Sequence, residues 1–333
     1  MAELFDIFNP QVSVVAKGLE GKIVLVYGDG STGKTLQGTR MKKPFYLGFE
    51  AGIRNIPNIP FLPINKWSDF KKTNKQLCDP KTLDKAKEMY STIIFDEVFT
   101  AARYCQDFLC KKHGVETIGE GNNGYGLWTE YANEFWGEFD KLSKAGYTVY
   151  FIGHEQFDKE KNKIMPKGDS RSTQVVRDNA DFVIYLTSNG VDEEGRVIKS
   201  SAWLAETDKF YARSRNEYID TFIPEFTAES LDETIRVAIE RQEQAEGVAA
   251  VTYSEQVKTM TSETLDFDKL QKETTGLLNE LAGSGEHDVD DLLELVAKHL
   301  GQDNKVSEAK PRQVEALSIL FDELTDVKNS VKK

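Results

Sequence analysis

Short, almost unbroken apolar runs alternate with stretches of helical periodicity along the first two thirds of this chain. Residues 23–27, 44–49, 60–64, 92–95, 148–152 and 182–186 read as strands. Helical patterns follow Lys34 and cover residues 67–77, 97–112 and 125–145. In the last of these, Trp128, Tyr131, Ala132, Phe135, Phe139 and Leu142 share one face, which predicts a packing stripe rather than a base-stacking surface. The alternation predicts an α/β fold with a mostly parallel central sheet flanked by helices. Residues 196–205 read as a β-hairpin arm, and Thr227 as the cap of a long helix over 228–245. Near Gly247 the texture turns to Thr, Ser, Glu and Asp. This predicts a core domain over 1–246, a linker over 247–285, and a small helical acidic C-terminal region over 286–333. Amphipathic helices are expected there at 288–300 and 312–327.

The first strand runs directly into Gly28-Asp29-Gly30-Ser31-Thr32-Gly33-Lys34-Thr35, a G-x-x-x-x-G-K-T sequence with a helix opening at the lysine. Strand, glycine-rich turn and helix N-terminus in that order form the cradle of a nucleoside triphosphate. Glycines let the backbone approach the phosphate oxygens, and the loop N–H groups point partial positive charge at them. Lys34 is expected to reach the β- and γ-phosphates and the Thr35 hydroxyl to ligate Mg²⁺, so ATP and Mg²⁺ are the expected cofactors. The strand Thr92-Ile93-Ile94-Phe95 ends in Asp96 and Glu97, and Asp96 is expected in the Mg²⁺ shell. Two carboxylates compete for the base that orients the attacking water: Glu97, beside Asp96, and Glu50, at the end of the strand after the P-loop helix. The carboxyl ends of neighbouring parallel strands converge, so both can reach the phosphate crevice.

Net charge of −13 excludes generic binding of polyanions by the molecule as a whole. From residue 247 onward there are 17 acidic against 10 basic residues, so any nucleic-acid contact must use a local patch in the first part. The segment 159–177 is such a patch, dense in Lys159, Lys161, Lys163, Lys167, Arg171 and Arg177. It reads as a flexible basic loop leaving the fifth strand, able to follow a single-stranded DNA backbone, although it lacks an interleaved aromatic. No apolar run is long enough to cross a membrane, and Met1–Asp6 has no basic or apolar leader pattern. Cys78, Cys105 and Cys110 have no metal-like pairing, so reduced thiols in a cytoplasm are expected.

Phe49-Glu50-Ala51-Gly52 after the second strand resembles RecA-like recombinases. The wider order resembles the phage-encoded RecA-like AAA-domain ATPases, including those of single-strand annealing. It runs from the P-loop and Glu50 through 64–70, 93–97, Gly124-Tyr125-Gly126, Phe151-Ile152-Gly153-His154-Glu155 and Asp181-Phe182-Val183 to Arg213-Ser214-Arg215. The resemblance spans residues 21–218 and implies a RecA-like P-loop NTPase core. It implies Glu50 as the base with Glu97 as the alternative, His154 as a γ-phosphate sensor, and Arg213 with Arg215 as arginines acting across a subunit interface. Arg213 stands where the pattern expects lysine, and Asn216-Glu217 where it expects glycine. The implied function is ATP-driven DNA recombination or replication by a homo-oligomer on single-stranded DNA. A single-strand binding protein is an expected partner of the C-terminal region. The alternative is an AAA+-type loader or remodelling ATPase acting on protein partners.

Overall fold

The computed structural model of the chain describes residues 8, 10, 12–260, 265–302 and 304–330. Met1–Asp6, read above for a leader, lies outside them. The chain divides into two compact units, 1–260 and 261–333.

In the first unit the elements begin β1 (Ile23–Gly28), α1 (Lys34–Gly38), β2 (Pro44–Gly48), β3 (Phe61–Pro63), α2 (Trp67–Cys78), α3 (Leu83–Met89), β4 (Thr92–Asp96) and α4 (Val98–His113). They continue α5 (Trp128–Lys144), β5 (Thr148–Asp158), β6 (Lys163–Pro166), α6 (Thr173–Asn179), β7 (Phe182–Thr187), β8 (Ser201–Trp203), β9 (Arg213–Ser214), β10 (Phe222–Ile223), α7 (Ala228–Glu246) and α8 (Tyr253–Met260). The sheet runs β10-β8-β7-β1-β5-β4-β2-β3, parallel from β7 to β3, with β8 and β10 closing one edge antiparallel.

Strands β1, β4 and β7 are buried along almost their whole length because both faces are covered. Alternate residues feed two cores. Leu25, Tyr27, Phe95 and Phe151 pack under α2, α4 and α5, while Val24, Val26, Ile94 and Tyr150 pack under α7. The first core is aromatic: Phe139 meets Phe95, Phe151, Phe70 and Phe135 with ring centroids 4.8–5.1 Å apart. Each such fully buried ring contributes about 1.5–3 kcal/mol of transfer free energy. The α5 stripe holds for Tyr131, Phe135, Phe139 and Leu142, but Trp128 at the helix start is 38 % exposed and lies outside the packed face.

Two expectations are corrected. The segment 247–285 is no linker: α8 returns to the first unit, where the Tyr253 hydroxyl donates to the Ser143 carbonyl at 2.8 Å. A further helix, α9 (Phe267–Ser284), begins the second unit, capped by the Asp266 side chain on the Lys269 N–H. With α10 (Val289–Leu300) and α11 (Val314–Ser330) it encloses Leu270, Leu281, Leu292, Val296, Leu317, Leu320 and Leu324. Phe267, Leu270, Leu277, Leu278 and Leu281 do recur at helical spacing on α9, a signal masked by the Thr-, Ser-, Glu- and Asp-rich texture of the stretch. Likewise 159–177 is no flexible loop. Strand β5 runs on to Asp158 and pairs antiparallel with β6, and α6 follows.

Candidate nucleotide and hydrolysis site

The carboxyl ends of β1, β5, β4 and β2 lie side by side, with Gly28 opposite His154 and Gly48 opposite Asp96. That register gathers the P-loop, the end of β4 and the end of β2 in one crevice. Gly28 has no room for a side chain: a Cβ there would stand 2.7 Å from the Leu186 carbonyl oxygen. Gly33 starts α1 with φ 82°, a left-handed conformation that glycine adopts freely. Within the loop, Asp29 and Gly30 are exposed, Ser31 has φ 61°, and the buried Thr32 hydroxyl donates to the Asp29 carbonyl at 2.9 Å.

Lys34 is buried and folded back on its own loop. Its Nζ donates to the carbonyls of Gly28 (3.0 Å) and Asp29 (2.6 Å) and to Thr32 Oγ1 (3.2 Å). Burial holds its pKa below the usual lysine value, opposed by Asp96, Asp29, Glu155 and Glu97. The Thr35 hydroxyl donates to Asp96 Oδ2 at 2.7 Å, and the Tyr46 hydroxyl donates to the same oxygen at 2.9 Å. Burial raises the Asp96 pKa, and these two hydroxyls pull it back down. Gly52 lies against this carboxylate: a Cβ there would be 2.5 Å from Asp96 Oδ2. The hard oxygen donors Thr35 and Asp96 thus meet beside the loop, a pair whose chemistry fits Mg²⁺.

Phe49 anchors the turn after β2 by packing on Phe70, Phe95 and Tyr104. The Glu50 N–H then donates to the Asp96 carbonyl at 3.0 Å, which sets Glu50 directly beside the end of β4. Glu50 is exposed, whereas Glu97 is 2 % exposed. The Thr100 hydroxyl joins them, 2.8 Å from Glu50 Oε1 and 3.1 Å from Glu97 Oε1. Glu97 Oε2 is buried with no hydrogen-bond partner among the described residues. Burial first, then the neighbouring Glu50 charge, push the Glu97 pKa up to about 7.

A folded pKa above the unfolded value means that the native state binds this proton more tightly. Stability is therefore lost as pH rises from about 4.5 to about 7, and the full penalty remains above that. In metal- and nucleotide-free buffer, Glu97→Gln is expected to stabilise the first unit at pH 8 by on the order of 1–3 kcal/mol, and hardly at pH 4.5. All four tryptophans lie between residues 67 and 203, so urea unfolding followed by tryptophan fluorescence reads that unit. Equal shifts at both pH values would disprove the effect.

His154 is half-buried on β5 next to the P-loop, and its carbonyl accepts the Lys167 N–H at 2.8 Å. Lys167 lies over the Phe99 ring at 4.8 Å, where its charge acts on Glu97. Lys163 pairs with Glu206 at 2.6 Å, and Arg177 pairs with Asp178 and lies over the Tyr211 ring. Lys159, Lys161 and Arg171 are exposed and have no ion pair among the described residues. Arg213 turns inward: its Nη2 donates to the carbonyls of Arg177, Asp178 and Ala180, which closes the C-terminal end of α6. That bonding ties Arg213 to the end of α6 in the same chain. Arg215 is exposed, with one bond to the Asp178 carbonyl.

Three neighbours of this site went unread in the sequence: Tyr46, Thr100 and Glu155. Tyr46 lies two residues before Gly48 on a strand that ends at the crevice, and Thr100 stands three positions after Glu97, on the same helical face. Either spacing would have found them. Glu155 follows His154 on β5 and has a buried Oε2 without a hydrogen-bond partner among the described residues.

No helix of the described residues is long and apolar enough to cross a membrane. Residues 20–216 match the family model described as an AAA domain. The SPbeta prophage-derived uncharacterized protein YorG of Bacillus subtilis (strain 168) is 54 % identical over 322 residues, covering 97 % of this chain and 98 % of that protein. With a P-loop and an acidic strand end facing it in one crevice, the chain belongs to the AAA-domain family of P-loop ATPases, with a prophage protein among its relatives.

Proposed function

We propose that this chain is an ATP-hydrolysing phage recombination or replication protein of RecA-like type, which oligomerises and binds single-stranded DNA to promote annealing or strand pairing. The observation that carries the hydrolytic part is the position of Glu50, hydrogen-bonded by its backbone to the Asp96 carbonyl and through Thr100 to Glu97. A carboxylate there would face the γ-phosphate of a triphosphate seated on the P-loop, and being exposed it could take a proton from an attacking water. Lys34, released from the loop carbonyls, would meet the β- and γ-phosphate oxygens. Thr35 and Asp96 would hold Mg²⁺, which when bound supplies charge neutralisation of the phosphate oxygens. Little covalent chemistry falls to the protein; its residues position the reactants.

The DNA part is supported by the β5–β6 hairpin, which continues the strand bearing His154 and carries at its turn Lys159 and Lys161, both exposed and without an ion pair among the described residues. A change at His154 on loss of the γ-phosphate has a direct route into that hairpin through the Lys167 N–H bond. The test is the rate of phosphate release from ATP with and without poly-dT. Stimulation by the strand, with a salt-dependent affinity, supports the reading. An ATPase indifferent to DNA but stimulated by a protein partner would replace it with the loader alternative.

A further inference from the structure

The connection between α4 and α5 is a built loop that ends in an outward-facing aromatic. Asn122, Asn123, Gly124 and Gly126 all have positive φ, and backbone bonds from Gly124 and Gly126 to the Gly121 carbonyl and from Leu127 to the Ile118 carbonyl hold the turn. Tyr125, at its tip, is 84 % exposed; its ring stacks on nothing and its hydroxyl has no partner among the described residues. Three residues on, Trp128 is 38 % exposed, and the Arg171 guanidinium lies over its ring at 4.4 Å. The Arg171 backbone N–H donates to Asp169 Oδ1 at 2.8 Å, and the Tyr131 hydroxyl donates to Asp169 Oδ2 at 3.4 Å, which holds the turn that carries Arg171.

We propose that Tyr125 and the Arg171–Trp128 stack form a base-stacking platform for single-stranded nucleic acid beside the basic hairpin. An exposed phenol ring and a guanidinium plane backed by indole each offer a flat face to a base, and the arginine adds charge for the backbone. The surroundings favour this ligand over an apolar protein partner. Asn122, Asn123 and two glycines flank Tyr125, and no apolar ring encloses it. The platform rests on the strand-binding reading of the previous section and supplies the aromatic that segment 159–177 lacks in its own sequence.

The experiment compares a fluorescein-labelled dT oligonucleotide with an abasic strand of equal length, using the full chain, Mg²⁺ and a slowly hydrolysed ATP analogue. Wild type is expected to bind dT at least about fivefold more tightly than the abasic strand, since each stacked base contributes about 1–3 kcal/mol. Tyr125→Ala should lose about 5- to 100-fold on dT and nothing on the abasic strand, while Tyr125→Phe should retain the wild-type preference. The thermal unfolding midpoint of both variants should match wild type. Equal wild-type affinity for the two strands overturns the platform and leaves strand binding intact. So does a Tyr125→Ala variant that keeps its preference, or one that loses both strands alike. Binding to neither strand by wild type overturns the platform together with the DNA reading.

Discussion

Glu50→Gln is expected to lower ATP turnover by about 10²–10⁴-fold while leaving nucleotide affinity within severalfold. Glutamine keeps the size of the side chain and can still accept from Thr100, so the loss isolates proton acceptance from positioning. Glu97→Gln is expected to cost much less in turnover. Glu97 is 2 % exposed, so its carboxyl is poorly placed to meet a water, and burial pushes its pKa up to about 7, so a substantial share stays protonated at neutral pH. The two variants, measured by steady-state phosphate release and by binding of a fluorescent nucleotide, separate the competitors for the base. If Glu97→Gln proves the more damaging in turnover, the base lies at the end of β4 and Glu50 becomes its neighbour. The relation between them is already asymmetric: one is exposed, the other buried, and a single hydroxyl lies between.

What the sequence made legible was whatever is encoded within one element. The six parallel strands, the P-loop and the acidic end of β4 are local patterns, and each lies where apolar runs and glycine spacing put it, although β3 is an exposed edge strand. Pairwise geometry between distant elements was less visible. That Glu50 and Glu97 share Thr100 depends on the turn after β2 bending over the first turn of α4, which no periodicity reports. The basic segment misled for a related reason. Its lysines and arginines read as one solvated run, yet pairing with Glu206, Asp178, Phe99 and Tyr211 removes several of them from free surface. Trp128 was read as core because its helical phase is right; being at the first residue of α5, it overhangs the packed face instead. The resemblance implies an outward-acting Arg213, whereas its Nη2 donates to three carbonyls at the end of α6, a contact between elements that the motif does not encode.

Lys34→Met is expected to weaken ATP binding by about 30- to 4000-fold, the 2–5 kcal/mol that follows from removing one partner of a desolvated charge contact, without destabilising the nucleotide-free fold. In that fold the ammonium is 6 % exposed and has only neutral oxygens as hydrogen-bond partners. No ion pair within 4 Å compensates it among the described residues, and burial depresses its pKa. For a lysine with a lowered folded pKa, the native state binds the proton less tightly than the unfolded chain. The resulting penalty is complete below the folded pKa and disappears as pH rises toward 10.5. At pH 7.5 methionine removes that penalty while filling the same volume, so the urea midpoint should stay level or rise, and any gain should shrink toward pH 10. A triphosphate reverses the balance by bringing the anionic oxygens that the empty loop lacks. Loss of affinity together with a clearly lower midpoint would show that the three loop bonds outweigh the burial cost. Lys34 would then be part of what holds the loop together, rather than a charge held in waiting for its ligand.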